Sequence, residues 1–185
     1  MNKNTTARKL AFCGLLLAFS SIIFILVNII DTNTIALMVV SSFIILAVIV
    51  EIDLRYAGLY FVALSLLCLL LVSNKLRAIV YLSSIGNYGI VKALIESKYK
   101  KLTTDSPFKL IFNRQTPIKI LYANLVLLLI YFEIRYFVGL VNIKPIYLLG
   151  GFLLYQVGFF AYDYMFSMAI EFYYQKIKSR IKFFN

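Results

Sequence analysis

Read along the chain, the apolar positions neither alternate nor gather into one-sided stripes. They run together for roughly 20 residues at a time, the length a helix needs to cross a hydrocarbon core about 30 Å thick. Six segments meet this length: about Leu10 to Ile30, Asn33 to Val50, Leu54 to Ser73, Arg77 to Ile95, Ile118 to Val141 and Ile146 to Ile170. The polar residues between them are few. Asp31-Thr32-Asn33, Glu51-Ile52-Asp53, Ser73-Asn74-Lys75 and Asn142 to Pro145 are tight turns, and only the stretch from about 96 to 117 is long. That stretch carries Lys98, Lys100, Lys101, Lys109 and Arg114 around Pro107, and its piece from Phe108 to Phe112 reads as amphipathic and surface-lying. The pattern predicts an all-α integral membrane protein, one six-helix domain over 1–185 with a cytoplasmic loop at about 96–117.

Composition sharpens this. Of 185 residues, 62% are hydrophobic and 15% charged, too few charges to coat a soluble globule. A soluble enzyme, a disordered chain and a disulfide-stapled secreted module are all disfavoured. The sequence contains no histidine, which removes histidine-dependent zinc sites and Ser-His-Asp or Cys-His catalysis. Cys13 and Cys68 fall inside apolar runs and read as small core hydrophobes. No Walker A, GxSxG or clustered-carboxylate motif occurs, so the chain is not expected to be an enzyme, to hydrolyse ATP, or to carry a cofactor or metal.

The net charge of +11 changes the picture once it is placed along the chain. With the N-terminus inside, one side receives Lys3, Arg8, Lys9, Arg55, the basic residues from Lys98 to Lys119, and Lys176, Lys178, Arg180 and Lys182. The other side receives Lys75, Arg77 and Lys144. Basic residues gather on the cytoplasmic side, so both termini are expected there, in a multi-pass protein of the cell membrane. The charge then reflects topology and not binding of nucleic acid. The first segment is longer than a signal-peptide core and lacks a small-residue cleavage site, so it reads as a retained span.

Ionisable and polar groups at membrane depth are costly and tend to face a partner or a cavity. In the fourth span Tyr81, Ser84, Tyr88 and Lys92 recur at helical spacing on one face, with Gly86, Gly89 and Ala93 as a small face beside it. In the fifth, Asn124, Tyr131 and Arg135 share a face and Glu133 projects oppositely. With Val141 as the helix end, Glu133 and Arg135 lie about 10 Å inside it. In the sixth, Gln156 and Asp163 share a face, beside Tyr155, Tyr162, Gly151 and Gly158. Substrate contacts are expected from Tyr81, Ser84, Tyr88, Tyr131, Arg135 and Gln156, in a cavity open opposite the termini. A planar guanidinium at Arg135 suits a carboxylate or phosphate. Lys92 lies about 22 Å along its span and Asp163 about 25 Å along its own, so the two are expected to form a structural ion pair.

The opening Thr6-Ala7-Arg8-Lys9-Leu10-Ala11-Phe12-Cys13-Gly14-Leu15-Leu16-Leu17-Ala18 combines the basic pair Arg8-Lys9 with small residues at Ala7, Ala11, Gly14 and Ala18. With six short helices, it resembles the substrate-binding S component of an energy-coupling factor (ECF) transporter. The segment Gly86 to Lys92 and the closing Tyr162-Asp163-Tyr164 are also similar to uncharacterised members. The resemblance implies capture of a vitamin, its precursor or another micronutrient from outside. It also implies docking onto a transmembrane T component through Ala7, Ala11 and Gly14, and energy from two ATPase subunits. No vitamin-specific signature is present. The competing reading is a membrane protein that serves as an assembly or regulatory partner and transports nothing. A membrane-embedded enzyme would need Glu133 or Asp163 as acid or base.

Overall fold

In a computed structural model, residues 3–99, 115–139 and 145–178 are described. The expected surface piece at Phe108 to Phe112, the turn from Asn142 to Lys144 and the basic residues after Lys178 lie outside them. Among the described residues there are helices and no strands. In order these are α1 (Lys3–Ile29), a 3-10 turn (Asp31–Asn33), α2 (Thr34–Glu51), α3 (Leu54–Leu71), α4 (Lys75–Ser83), α5 (Ile85–Tyr99), α6 (Thr116–Val138) and α7 (Pro145–Phe172), which widens into a π-helical turn (Tyr173–Lys178). Six spans are long and apolar enough to cross a membrane: Thr6–Ile29, Thr34–Glu51, Leu54–Leu71, Lys75–Ser97, Thr116–Val138 and Ile146–Phe172. The protein is therefore an all-α, multi-pass membrane protein.

The described residues fall into two compact units, divided between Leu94 and Ile95. In the first, α1 packs on α2 and α3, α2 packs on α3, and α3 on α4. Phe24, Val27, Ile45, Val48, Leu64, Cys68 and Val72 are buried at the centre, beside the small Ala57 and Ser41. Small residues let helix backbones approach, and packing of this kind drives helix association in lipid. The buried hydroxyls of Ser20, Ser41, Ser42, Tyr60 and Tyr81 are joined to another helix or to a carbonyl. Ser20 of α1 and Tyr60 of α3 share a 2.7 Å hydrogen bond, and the Tyr81 hydroxyl of α4 donates to Ser41 Oγ of α2 at 3.3 Å. The large apolar side chains left exposed on α1, among them Leu15, Phe19, Ile22 and Ile29, suit a lipid or helix environment and not water.

The turns at one end of this unit are pinned by polar side chains. Asn28, near the end of α1, donates through Nδ2 to the Leu71 carbonyl at 2.7 Å and accepts from the Ser73 amide at 2.9 Å. Asn74 caps α4 by accepting from the Arg77 amide at 3.2 Å. Lys75 Nζ reaches the Leu69 and Val72 carbonyls at 2.6 and 3.0 Å, closing the C-terminal end of α3 where helix carbonyls lack partners.

In the second unit, α6 opens with Pro117 in its first turn, where a missing amide costs nothing. It ends at Gly139, whose φ of 88° lies in the left-handed region and whose amide bonds the Arg135 carbonyl at 3.1 Å. Three side-chain contacts fix α6 and α7 in antiparallel register. Positions 123 and 124 of α6 meet 155 and 156 of α7, and the earlier position 119 meets the later position 163.

Candidate functional site

The fourth span is not one helix. At Ser84 the backbone leaves helical geometry (φ −111°, ψ −83°), so α4 and α5 meet at a break. The Ser84 amide still donates to the Val80 carbonyl at 3.1 Å, and side chains add further bonds around the break. Ser83 Oγ donates to the Val80 carbonyl at 3.1 Å, Ser84 Oγ donates to the same carbonyl, and Asn87 Nδ2 donates to the Ser83 carbonyl at 3.4 Å. The single face expected to carry Tyr81, Ser84, Tyr88 and Lys92 is thus interrupted. The Ser84 hydroxyl turns back on the Val80 carbonyl of its own span, the local bond that serines commonly make one turn on.

Tyr81 is buried, with its ring edge-on to Phe24 at 5.6 Å and its hydroxyl on Ser41. Its position is accounted for by the packing of α1, α2 and α4. Beyond the break, Tyr88 and Lys92 are each 1% exposed and lie one turn apart on α5. The Lys92 ammonium sits 6.0 Å from the centre of the Tyr88 ring, at the outer range of a cation–π contact.

The other expected contacts belong to the second unit. Asn124, Tyr131 and Arg135 form one exposed stripe of α6, with Tyr131 47% exposed. Gln156 of α7 donates through Nε2 to Asn124 Oδ1 at 2.6 Å, and the neighbouring Tyr155 hydroxyl donates to the Ala123 carbonyl at 3.1 Å. Because α6 stops at Val138 and not at Val141, Arg135 lies only about 5 Å from the helix end. The positive φ of Gly139 causes the earlier end. Arg135 therefore occupies the last turn, where a cation meets the negative end of the helix dipole.

A charged cluster that spacing alone leaves unassigned lies at the other end of α6. Lys119, 8% exposed and counted with the loop's basic residues, is inside the helix. Its ammonium contacts both carboxylate oxygens of Asp163 at 3.1 Å and Glu96 Oε1 at 3.3 Å. A cation in the first turn of a helix opposes the dipole, so carboxylates from α5 and α7 offset it. Asp163 thus has Lys119 as a cationic partner within the second unit, while Lys92, with which it is expected to pair, belongs to the first. The signal was present in outline: Asp163 lies seven residues beyond Gln156, and in an antiparallel hairpin that points to the start of α6.

On α1 the helix begins before the apolar run, so Ala7 is already helical. Ala7, Ala11, Gly14 and Ala18 are all exposed along one stripe. A side chain built at Gly14 would meet nothing within 4 Å. Among the described residues no three His, Cys, Asp or Glu gather as metal ligands, and Cys13 and Cys68 are buried free thiols. The arrangement offers helix contact and hydrogen bonding in a membrane. No protein-family model, curated protein or solved structure matches this chain.

Proposed function

We propose that this protein is the membrane-embedded substrate-binding subunit of an ATP-driven uptake system of the energy-coupling factor kind, in the cell membrane with both termini cytoplasmic. It captures a small micronutrient, a vitamin or a precursor, from outside. It docks through α1 onto a transmembrane T component served by two ATPases. The observation that carries the reading is the exposed stripe of Ala7, Ala11, Gly14 and Ala18 on a helix whose opposite side packs on α2 and α3. Small residues on an outward helix face allow a second helix to come close, and nothing of the first unit fills the space at Gly14. Arg135, exposed in the last turn of α6, supports an anionic or zwitterionic substrate.

The test is co-expression of tagged protein with a T component and its two ATPases, followed by mass spectrometry of small molecules released from the purified chain. Wild type is expected to bring down all three partners together with a bound micronutrient. Ala11→Trp, placed on an exposed position, should lose the partners while keeping the small molecule. Equal recovery of the partners with Ala11→Trp, or their absence with wild type, defeats the docking assignment. A wild-type chain that carries no small molecule from any growth medium defeats the capture role.

A further inference from the structure

The first unit leaves a buried acceptor unmatched. Glu51 closes α2, and its Oε1 is shut off from solvent without a hydrogen-bond donor. Among the described residues no cation pairs with this carboxylate. An anion in the last turn of a helix also meets the negative end of the dipole. Buried polar atoms are rarely left unmatched, and charged ones cost the most. Among the described side chains of the first unit, Lys92 is the buried cation. Arg8 and Arg55 are exposed, and Lys9 lies over the Tyr56 ring. Arg77 bonds Thr34 at the start of α2, the end away from Glu51, and Lys75 holds the end of α3 beside it. Two contacts fix the level of Lys92 against α2. Thr34 meets Arg77 and Ser41 meets Tyr81, in the same order along both chains, so α2 and the fourth span run parallel. Glu51 is ten residues beyond Ser41, about 15 Å, and Lys92 is eleven beyond Tyr81, about 16 Å. The unmatched carboxylate and the buried ammonium therefore lie at one depth of one unit and do not meet.

We infer that the fourth span has a second position, in which α5 turns about Ser84 and Lys92 leaves the Tyr88 ring to pair with Glu51. The break supplies the freedom. It stands between Tyr81, which is held by Phe24 and Ser41, and Lys92, which is not. Residues at helix ends are where a hinge absorbs changes in φ and ψ. Lysine supplies the reach, since its charge rides on a flexible four-carbon stem and packed helices stand only about 8–10 Å apart. The carboxylate supplies the difference between the positions, unmatched in one and matched in the other, and such a difference is what an equilibrium between two states requires. Lys92 is engaged in the present position as well, so the movement exchanges its partners and strands no cation. The latch lies within the first unit and does not depend on the uptake reading.

The test uses the full chain in lipid nanodiscs, with Cys13 and Cys68 replaced by Ala and Ser. Spin labels go on Leu59→Cys of α3 and Leu94→Cys of α5, both exposed, and pulsed electron resonance reads the distance between them. With Glu51 and Lys92 in place, two distances are expected. Glu51→Leu should lower the second population about tenfold, the scale of one hydrogen bond to a charged group. Tyr88→Leu removes a contact of the first position and should raise the second population. The exchange Glu51→Lys with Lys92→Glu keeps the pair and should bring the second distance back, which separates a lost latch from a lost fold. A single distance in the parent protein overturns the inference. So does a second distance that Glu51→Leu leaves unchanged, which would show that another group sets the position of α5.

Discussion

Lys119 shows how a single buried cation can join three helices. Its ammonium touches carboxylates from α5 and α7 while its own backbone belongs to α6. The two carboxylates are not equivalent. Asp163 is engaged through both oxygens and its side chain is 17% exposed, whereas Glu96 is engaged through one and is 35% exposed. Breaking a buried pair from one side costs about 3–5 kcal/mol, because the remaining charge is stranded. Lys119→Met removes the cation shared by both acids and should lower the melting temperature in detergent most. Asp163→Asn leaves Glu96 on Lys119 and should cost less, and Lys119→Met with Asp163→Leu should recover part of the loss. Scanning calorimetry of the variants decides it; equal melting of Lys119→Met and Asp163→Asn would show that the cluster carries little of the stability.

At the scale of elements, the spans were legible in the sequence and the interruptions were not. A run of apolar residues long enough to cross a bilayer is a one-dimensional signal, and all six spans appear within a few residues of their expected bounds. The break at Ser84 depends on something spacing does not encode. Gly86 lies against Tyr81, and a methyl group there would stand 3.1 Å from the Tyr81 carbonyl oxygen and 3.1 Å from its ring. The close approach needs glycine on one side and a ring fixed by Phe24 and Ser41 on the other, a contact among helices that no linear pattern displays. The early end of α6 is similar, since Gly139 is one glycine inside an otherwise apolar run. Tyr131, Arg135 and Gln156 were legible as polar groups at depth, but that Gln156 meets Asn124 depends on the hairpin register. Gly86→Ala should therefore destabilise by about 1–3 kcal/mol through overpacking against backbone that cannot yield. Gly58→Ala, with nothing within 4 Å, should be neutral or slightly stabilising. Thermal unfolding of the two variants side by side tests the assignment, which fails if Gly86→Ala melts with or above Gly58→Ala.

For the whole molecule, the distribution of basic residues makes a claim that can be tested on the first unit alone. α3 spans 18 residues, Leu54–Leu71, about 27 Å of helix, so the turns at Asp53 and Ser73 lie at opposite ends of one crossing. Both residues are exposed, and a cysteine at either would be open to a thiol reagent on its own side. The end with Asp53 carries Arg55, while α1 starts nearby in chain direction with Arg8 and Lys9, and Lys9 lies over the Tyr56 ring at 5.4 Å. That contact places the basic start of α1 at the Asp53 end of α3. Retention of Lys and Arg on the cytoplasmic side then predicts Asp53 inside and Ser73 outside. In a background with Cys13 and Cys68 replaced by Ala and Ser, a membrane-impermeant maleimide added to intact cells should label Ser73→Cys. It should reach Asp53→Cys only after the membrane is opened. Lys75 and Arg77 on the Ser73 side weaken the bias but are already engaged, by the Leu69 and Val72 carbonyls and by the Thr34 hydroxyl at 3.4 Å respectively. Labelling of Asp53→Cys from outside would invert the whole chain, place the exposed start of α1 away from any cytoplasmic partner, and remove the physical basis for docking through Ala7 and Ala11.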